Sequence, residues 1–157
     1  MNNINKMCSF YVNGWHLIVM ILPYISREIE KNEIVIISED NLELHVKSIL
    51  DKLNINDEMK KRIRNLNWNK ANDVDNSLKN LKEACNIFVI GSKKYIENIN
   101  GKIEKLNKKL TIINCFEVLQ FNQNMEEILN THDKVLNTSG IRDIEETFGG
   151  YSKKQII

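Results

Sequence analysis

Proline and glycine are scarce in this chain, with one and six copies in 157 residues, so no Pro/Gly-rich linker divides it. Internal repeats and low-complexity tracts are missing as well, and a single domain is expected. Cysteine occurs three times, as Cys8, Cys85 and Cys115. An odd count at wide spacing, with no CxxC, excludes a disulfide framework and a cysteine zinc site, and leaves reduced thiols in a reducing compartment. Neither sign of charge is in excess: 22 Lys and Arg against 21 Asp and Glu give a net +1. That excludes broad electrostatic attraction to nucleic acid or to an anionic membrane. The apolar run from Trp15 to Ile25 contains Pro23, and at about 11 residues it falls short of the ~20 that span a bilayer. The opening MNNINKM has no secretion-signal layout, so a cytoplasmic protein is expected. Catalytic signatures are missing too. There is no GxSxG, no HExxH and no visible nucleophile–base pair, and the adjacent carboxylates Glu126-Glu127 and Glu145-Glu146 point apart on a helix. The chain is expected not to be an enzyme, and no cofactor is indicated.

What is present is a layered core. Hydrophobic residues make up 42% of the chain and charged residues 27%, enough at this length for a two- or three-layer interior. Heavy use of Asn, Ile and Lys reads as gene base composition rather than as a structural signal. Cys8 to Val12 forms a short apolar strand. After it, Trp15, Ile18, Val19, Leu22, Ile25 and Ile29 recur at helical spacing. Leu17, Met20 and Ile21 widen that stripe, and Pro23 is expected to kink or split the helix. Glu33 to Ser38 contains the β-branched run of a strand covered on both faces. Ser38-Glu39-Asp40-Asn41 caps a helix with Leu42, Val46, Ile49 and Leu53 in register. Next come a charged helix over 57 to 64, a minor strand at Leu66-Asn67-Trp68, and a helix opened by Asn72 or Asp73. Asn86 to Ile90 is a third buried strand, followed by a helix bearing Tyr95, Ile99, Ile103 and Leu106. Leu110 to Val118 is the fourth long strand, Met125 to His132 a short helix, and Val135-Leu136 a final short strand. A domain of residues 1 to 140 is expected, with 141 to 157 as a tail or short helix. Strands alternating with amphipathic helices predict a three-layer α/β fold with a mostly parallel sheet. It is RecA-like but without a phosphate loop. The first strand-to-helix turn is Asn13-Gly14, with no GxGxxG and no GxxxxGK[ST].

Ligands of open α/β sheets gather at the C-terminal ends of the strands. Tyr11, Asn13, Ser38, Glu39, Gly91, Ser92 and Glu117 fall on that rim, with His16 in the first turn of the first helix. His16 is either a ligand contact or a histidine packed at a helix start. Cys8 and Cys115 are either small buried hydrophobes or thiols lining a pocket, and a thiol switch would need a lowered pKa and solvent access. Gly91-Ser92-Lys93 is either an anion site at a helix N-terminus or a tight turn with a Ser cap. His132 reads as a structural histidine at a helix C-terminus, where a cationic ring suits the dipole, and His45 as a surface residue. The best basic patch is Lys60-Lys61-Arg62 with Arg64 and Trp68. Beside Asp57 and Glu58 it reads as a solvated helix face rather than a nucleic-acid surface.

Cys8-Ser9-Phe10-Tyr11, then Leu22-Pro23-Tyr24-Ile25, then Glu30-Lys31-Asn32-Glu33 before a β-branched strand, resemble the opening of the MEDS sensory domain. Ile113-Asn114-Cys115-Phe116-Glu117 and Leu129-Asn130-Thr131-His132-Asp133 are similar to its later segments. Lys6 stands where the family has a His, and Asp133 where it has a Pro-led pair. The resemblance implies a degenerate RecA-like domain of prokaryotic signalling proteins that senses a small organic molecule. Its output would pass to a histidine kinase, a transcription regulator or a second copy of itself. Cys8, Tyr11, His16 and Cys115 are the residues expected to line the ligand pocket. Two other readings are a docking domain with no ligand, and a weak nucleotide binder using Ser92 and Lys93 on phosphate.

Overall fold

The computed structural model describes residues 3–148. Residues 1, 2 and 149–157, including Gly149-Gly150 of the expected tail, lie outside the described residues. The centre of the sheet is β1 (Ile4–Tyr11) and β4 (Leu110–Glu117), paired in parallel from Ile4 against Leu110 to Tyr11 against Glu117. β3 (Cys85–Ile90), buried at all six positions, lies outside β4, and β2 (Ile34–Ser38) outside β3. On the other side of β1 come β5 (Lys134–Asn137) and the antiparallel β6 (Gly140–Asp143). The order β2-β3-β4-β1-β5-β6 makes a six-stranded, mostly parallel sheet, the expected α/β class and consistent with a RecA-like arrangement.

The period-two alternation of the strands sorts side chains into two cores. Met7, Tyr11, Phe88, Ile90, Ile113 and Cys115 face one side, under α1 (Gly14–Glu28), α2 (Glu43–Leu50) and α3 (Asp57–Arg64). Cys8, Ile87, Val89, Ile112 and Phe116 face the other. That side is covered by α4 (Val74–Lys79), α5 (Lys93–Glu104), α6 (Val118–Gln123), α7 (Met125–Asn130) and α8 (Ile144–Thr147). Helices on both faces explain why β3 is buried throughout, with Asn86 as its one polar residue, held by the Tyr24 hydroxyl.

Four local expectations are corrected. Pro23 does not split α1, which runs unbroken across it. Pro23 and Val19 are both solvent-exposed, so the carbonyl that proline leaves without a donor at position 19 is on the hydrated side. Leu66-Asn67-Trp68 is not a strand. Trp68 is a buried plug whose Nε1–H donates to the Ile63 carbonyl at 2.7 Å, while its own carbonyl accepts from Leu42 N–H at 2.8 Å. The chain then passes beside Ser38 through a bridge at Lys70 and crosses to the second face. The Ser38-to-Asn41 stretch does not cap α2: the N-cap position is Leu42, without a side-chain cap bond, while Asn41 Oδ1 accepts from Glu43 N–H just outside it and Ser38 Oγ bonds Asp40. Finally, the segment after Gly140 opens as the unexpected strand β6, and the expected short helix follows it as α8. Gly140 has φ +105°, which lets the tight turn after β5 close, and Ile144 of α8 is buried. Among the described residues, no helix is long and apolar enough to cross a membrane.

Candidate functional site

β1 and β4 are neighbours, yet β1 leads into α1 on the first face and β4 into α6 on the second. A crevice at such a switch point is where open α/β domains bind ligands, often with phosphate on the amides of the strand-to-helix turn. In this chain two of those amides, Val12 and His16, are occupied from within. Val12 N–H donates to His16 Nδ1 at 3.0 Å, and His16 N–H to Asn13 Oδ1 at 2.9 Å. His45 lies over Gly14, so that a Cβ added there would meet its Nε2 at 2.8 Å. The same ring packs edge-on against Trp15. His45 is therefore half-buried packing, not the surface residue expected, and its Nδ1 has no hydrogen-bond partner among the described residues.

The β3–α5 turn is filled in the same way. Ser92 N–H donates to the Glu39 carboxylate at 2.9 Å, and Lys93 N–H to the Gln120 side-chain oxygen at 2.6 Å. Ser92 Oγ caps α5 by accepting from Tyr95 N–H. The Lys93 ammonium is paired with Glu97 and Glu127. Of the two readings of Gly91-Ser92-Lys93, the geometry matches the capped turn, and the anion on it is the protein's own carboxylate. Burial above all pushes the Tyr11 phenol upward, with the Cys115 thiol and Glu117, Asp40 and Glu39 adding to the effect. A rim carrying those carboxylates disfavours a polyphosphate.

Of the residues expected to line one pocket, Tyr11 and Cys115 share a core and Cys8 and His16 stand apart from them. Cys8 faces the second core, while Tyr11 and Cys115 face the first. His16 sits at the start of α1 as a cap on Val12 N–H. Cys115 is fully buried, and burial drives its thiol upward, against the lowered pKa a switch would need. Lys60, Lys61 and Arg62 lie on α3, and Arg62, though exposed, donates to the Ile29 carbonyl at 2.9 Å.

A different constellation lies on the second face. Asn114 of β4, Asn100 of α5 and His132 after α7 are buried polar residues joined in one network. Asn100 Nδ2 donates to the Ile96 carbonyl at 2.9 Å and to Asn114 Oδ1 at 2.8 Å. Asn114 Nδ2 donates back to Asn100 Oδ1 at 3.0 Å and lies 3.0 Å from His132 Nε2. His132 Nδ1 is 2.6 Å from the Ile128 carbonyl. A carbonyl can only accept, so Nδ1 carries the proton and Nε2 accepts from Asn114. A cationic imidazolium could not accept there, so the structural role expected of His132 holds without the charge. The network borders a cavity of about 220 Å³ between α5 and α7, smaller than the ~300–1,000 Å³ of drug-sized sites. Ile96, Phe116 and Ile128 supply its apolar wall, and the pairs Lys6–Glu104 and Lys93–Glu97/Glu127 also line it.

The cavity joins two stretches singled out in the sequence, Ile113 to Glu117 and Leu129 to Asp133, but through Asn114 and His132 rather than through Cys115. Asn100 carried no signal of its own, since one Asn on a helix is ordinarily a surface residue. Among the described residues no cluster of three or more His, Cys, Asp or Glu is placed to hold a metal ion. No protein-family model, no curated protein and no solved structure matches the chain.

Proposed function

We propose that this chain is a non-catalytic sensory or regulatory domain that keeps a RecA-like scaffold and has given up nucleotide binding. It takes up a small organic ligand and passes its state to a protein partner, a histidine kinase, a transcription regulator or a second copy. The observation that carries the reading is the internal filling of both phosphate positions. His16 and Asn13 take the Val12 and His16 amides of the first turn, and Glu39 and Gln120 the Ser92 and Lys93 amides of the second. The resemblance of the two ends of the chain to MEDS domains supports the same reading. The small cavity behind Asn114 offers a place for the ligand.

The test is thermal unfolding with and without ATP–Mg or GTP–Mg. A bound nucleotide at 100 times its Kd would add about 2.7 kcal/mol, which at this size raises Tm by roughly 5–10 °C. No rise is expected. A rise that Lys93→Ala abolishes refutes the proposal. A second reading, docking without any ligand, is favoured by one observation: Val12, Trp15, Val19 and Leu44 are exposed by 71%, 45%, 51% and 68% near the first turn. Native mass spectrometry of protein from its own host separates the two, because a retained small molecule belongs to the sensor and not to the pure docking domain.

A further inference from the structure

We propose that the cavity between α5 and α7 binds a compact organic amine, an amino or ammonium head on a short apolar body, and rejects carboxylates and phosphates of the same size. The proposal rests on the reading of the chain as a ligand-binding regulatory domain and gives that ligand a chemical class. Three independent features of the cavity lead to it.

The first is the polarity of its polar wall. Both Nδ2 hydrogens of Asn100 are used, on Ile96 and Asn114, and both of Asn114, on Asn100 and His132. The Nδ1 proton of His132 is used on Ile128. Every amide and imidazole donor of the network is committed, so what it has left to offer is the second lone pair on each Asn oxygen. A ligand meeting these three side chains has to donate; the other side-chain donors of the lining include the ammonium groups of Lys6 and Lys93, both held by carboxylates.

The second is charge. Lys6 offsets Glu104, and the single ammonium of Lys93 serves both Glu97 and Glu127. Three carboxylates against two ammonium groups leave the lining one negative charge in surplus. That favours a cation and opposes an anion.

The third is Gly101. It stands inside α5, where glycine is a poor helix former, and it lies on the cavity lining along the stripe Ile96, Glu97, Asn100 and Glu104. A Cβ built on it meets nothing within 4 Å, and its φ lies outside the left-handed range that favours glycine. Neither packing nor backbone conformation asks for glycine here. Open space beside the cavity is what its missing side chain provides.

Phenethylamine is the probe, with 3-phenylpropionate as the anion of matched shape. Binding is followed by amide chemical shifts and by Tm. Phenethylamine is expected to shift amides of α5, β4 and α7 and to raise Tm, and 3-phenylpropionate to do neither. Gly101→Leu is expected to fold, with Tm equal or higher, and to lose the response. Should leucine perturb folding, Gly101→Ala is the second variant, with Tm up by about 2–4 °C and the amine response weakened. Glu97→Gln with Glu127→Gln is expected to weaken the amine about tenfold. Equal responses to amine and carboxylate overturn the assignment, as does wild-type binding by either Gly101 variant. Silence towards both probes, while ATP and GTP also leave Tm unmoved, sinks the amine and leaves the regulatory reading standing. Stabilisation by ATP sinks the regulatory reading itself.

Discussion

Replacing Asn114 by leucine removes three buried side-chain hydrogen bonds at once, two to Asn100 and one to His132. Removing one partner of a buried hydrogen bond costs about 1–3 kcal/mol for each group left unsatisfied. The stranded groups are Asn100 Oδ1, one Asn100 hydrogen and His132 Nε2, on residues only 7% and 4% exposed. Burial of the leucine offsets about 1–2 kcal/mol of this, and the adjoining cavity lets the stranded groups recover some hydration. A net loss of about 3 kcal/mol follows, or a fall in Tm of about 6–12 °C. Urea unfolding measures it as a lower midpoint at unchanged slope. Ile112→Val, on the same strand and face, is the comparison, at about 0.5–1.5 kcal/mol. Because Asn100 and Asn114 satisfy one another, Asn100→Leu and Asn114→Leu together are expected to cost at least ~1 kcal/mol less than the sum of the single changes. A single-variant loss below about 1 kcal/mol, or additivity within about 0.5 kcal/mol, would refute a closed network at this position.

Two further outcomes follow from the same geometry. Gly91→Ala places a Cβ 2.8 Å from both Glu39 Oε1 and Tyr95 Cδ2, and a loss of about 1–3 kcal/mol in urea unfolding is expected; an unchanged midpoint would mean that Glu39 does not sit on that turn. The alkaline pH dependence comes from buried phenols and thiols, Tyr11 and Cys115 among them; Tyr24 and Cys85 are both pushed up to about 12, from ordinary values of 10 and 9. Burial is the main cause for each, with Glu28 adding for Tyr24 and Glu33 for Cys85. Between about pH 9 and 12 the unfolded chain gives up these protons while the folded chain keeps them, so stability is intact below that window and falls as pH rises through it. The two groups together are worth on the order of 5 kcal/mol. Tyr24→Phe is expected to flatten the alkaline limb while lowering stability near pH 7, because Asn86 Oδ1 loses its donor at 2.7 Å.

The layers were legible because apolar pattern and burial are the same physical demand. The β-branched run of β2, the stripe of α1 and the alternation through β4 each announce which faces are covered. Elements without such a pattern were missed for matching reasons. β6 is an exposed edge strand of sequence GIRD, with no apolar alternation to betray it. α6 continues straight from β4 with one buried residue, Phe121, so its two turns were absorbed into the strand and the following loop. Trp68 has the β-forming character of an aromatic residue, yet one aromatic has no period, and its indole plugs a loop instead.

The candidate site shows the limit of that legibility more sharply. Strand periodicity already separates Cys8 from Cys115. Aligned β1 and β4 put Ser9, not Cys8, beside Cys115, so the two thiols point to opposite faces whatever the family resemblance implies. What periodicity could not supply is the direction of hydrogen bonding through Asn100, Asn114 and His132. That direction is fixed at both ends by main-chain carbonyls, Ile96 on α5 and Ile128 on α7. Starting from Ile96, each amide has one orientation that satisfies it, and the chain of donors arrives at His132 Nε2 as a donor. Starting from Ile128, His132 must be protonated on Nδ1, which makes Nε2 the acceptor. The two ends agree without a single flipped amide. A network that closes this way commits its donors, and the selectivity for a donating ligand follows from two backbone carbonyls that no residue pattern encodes.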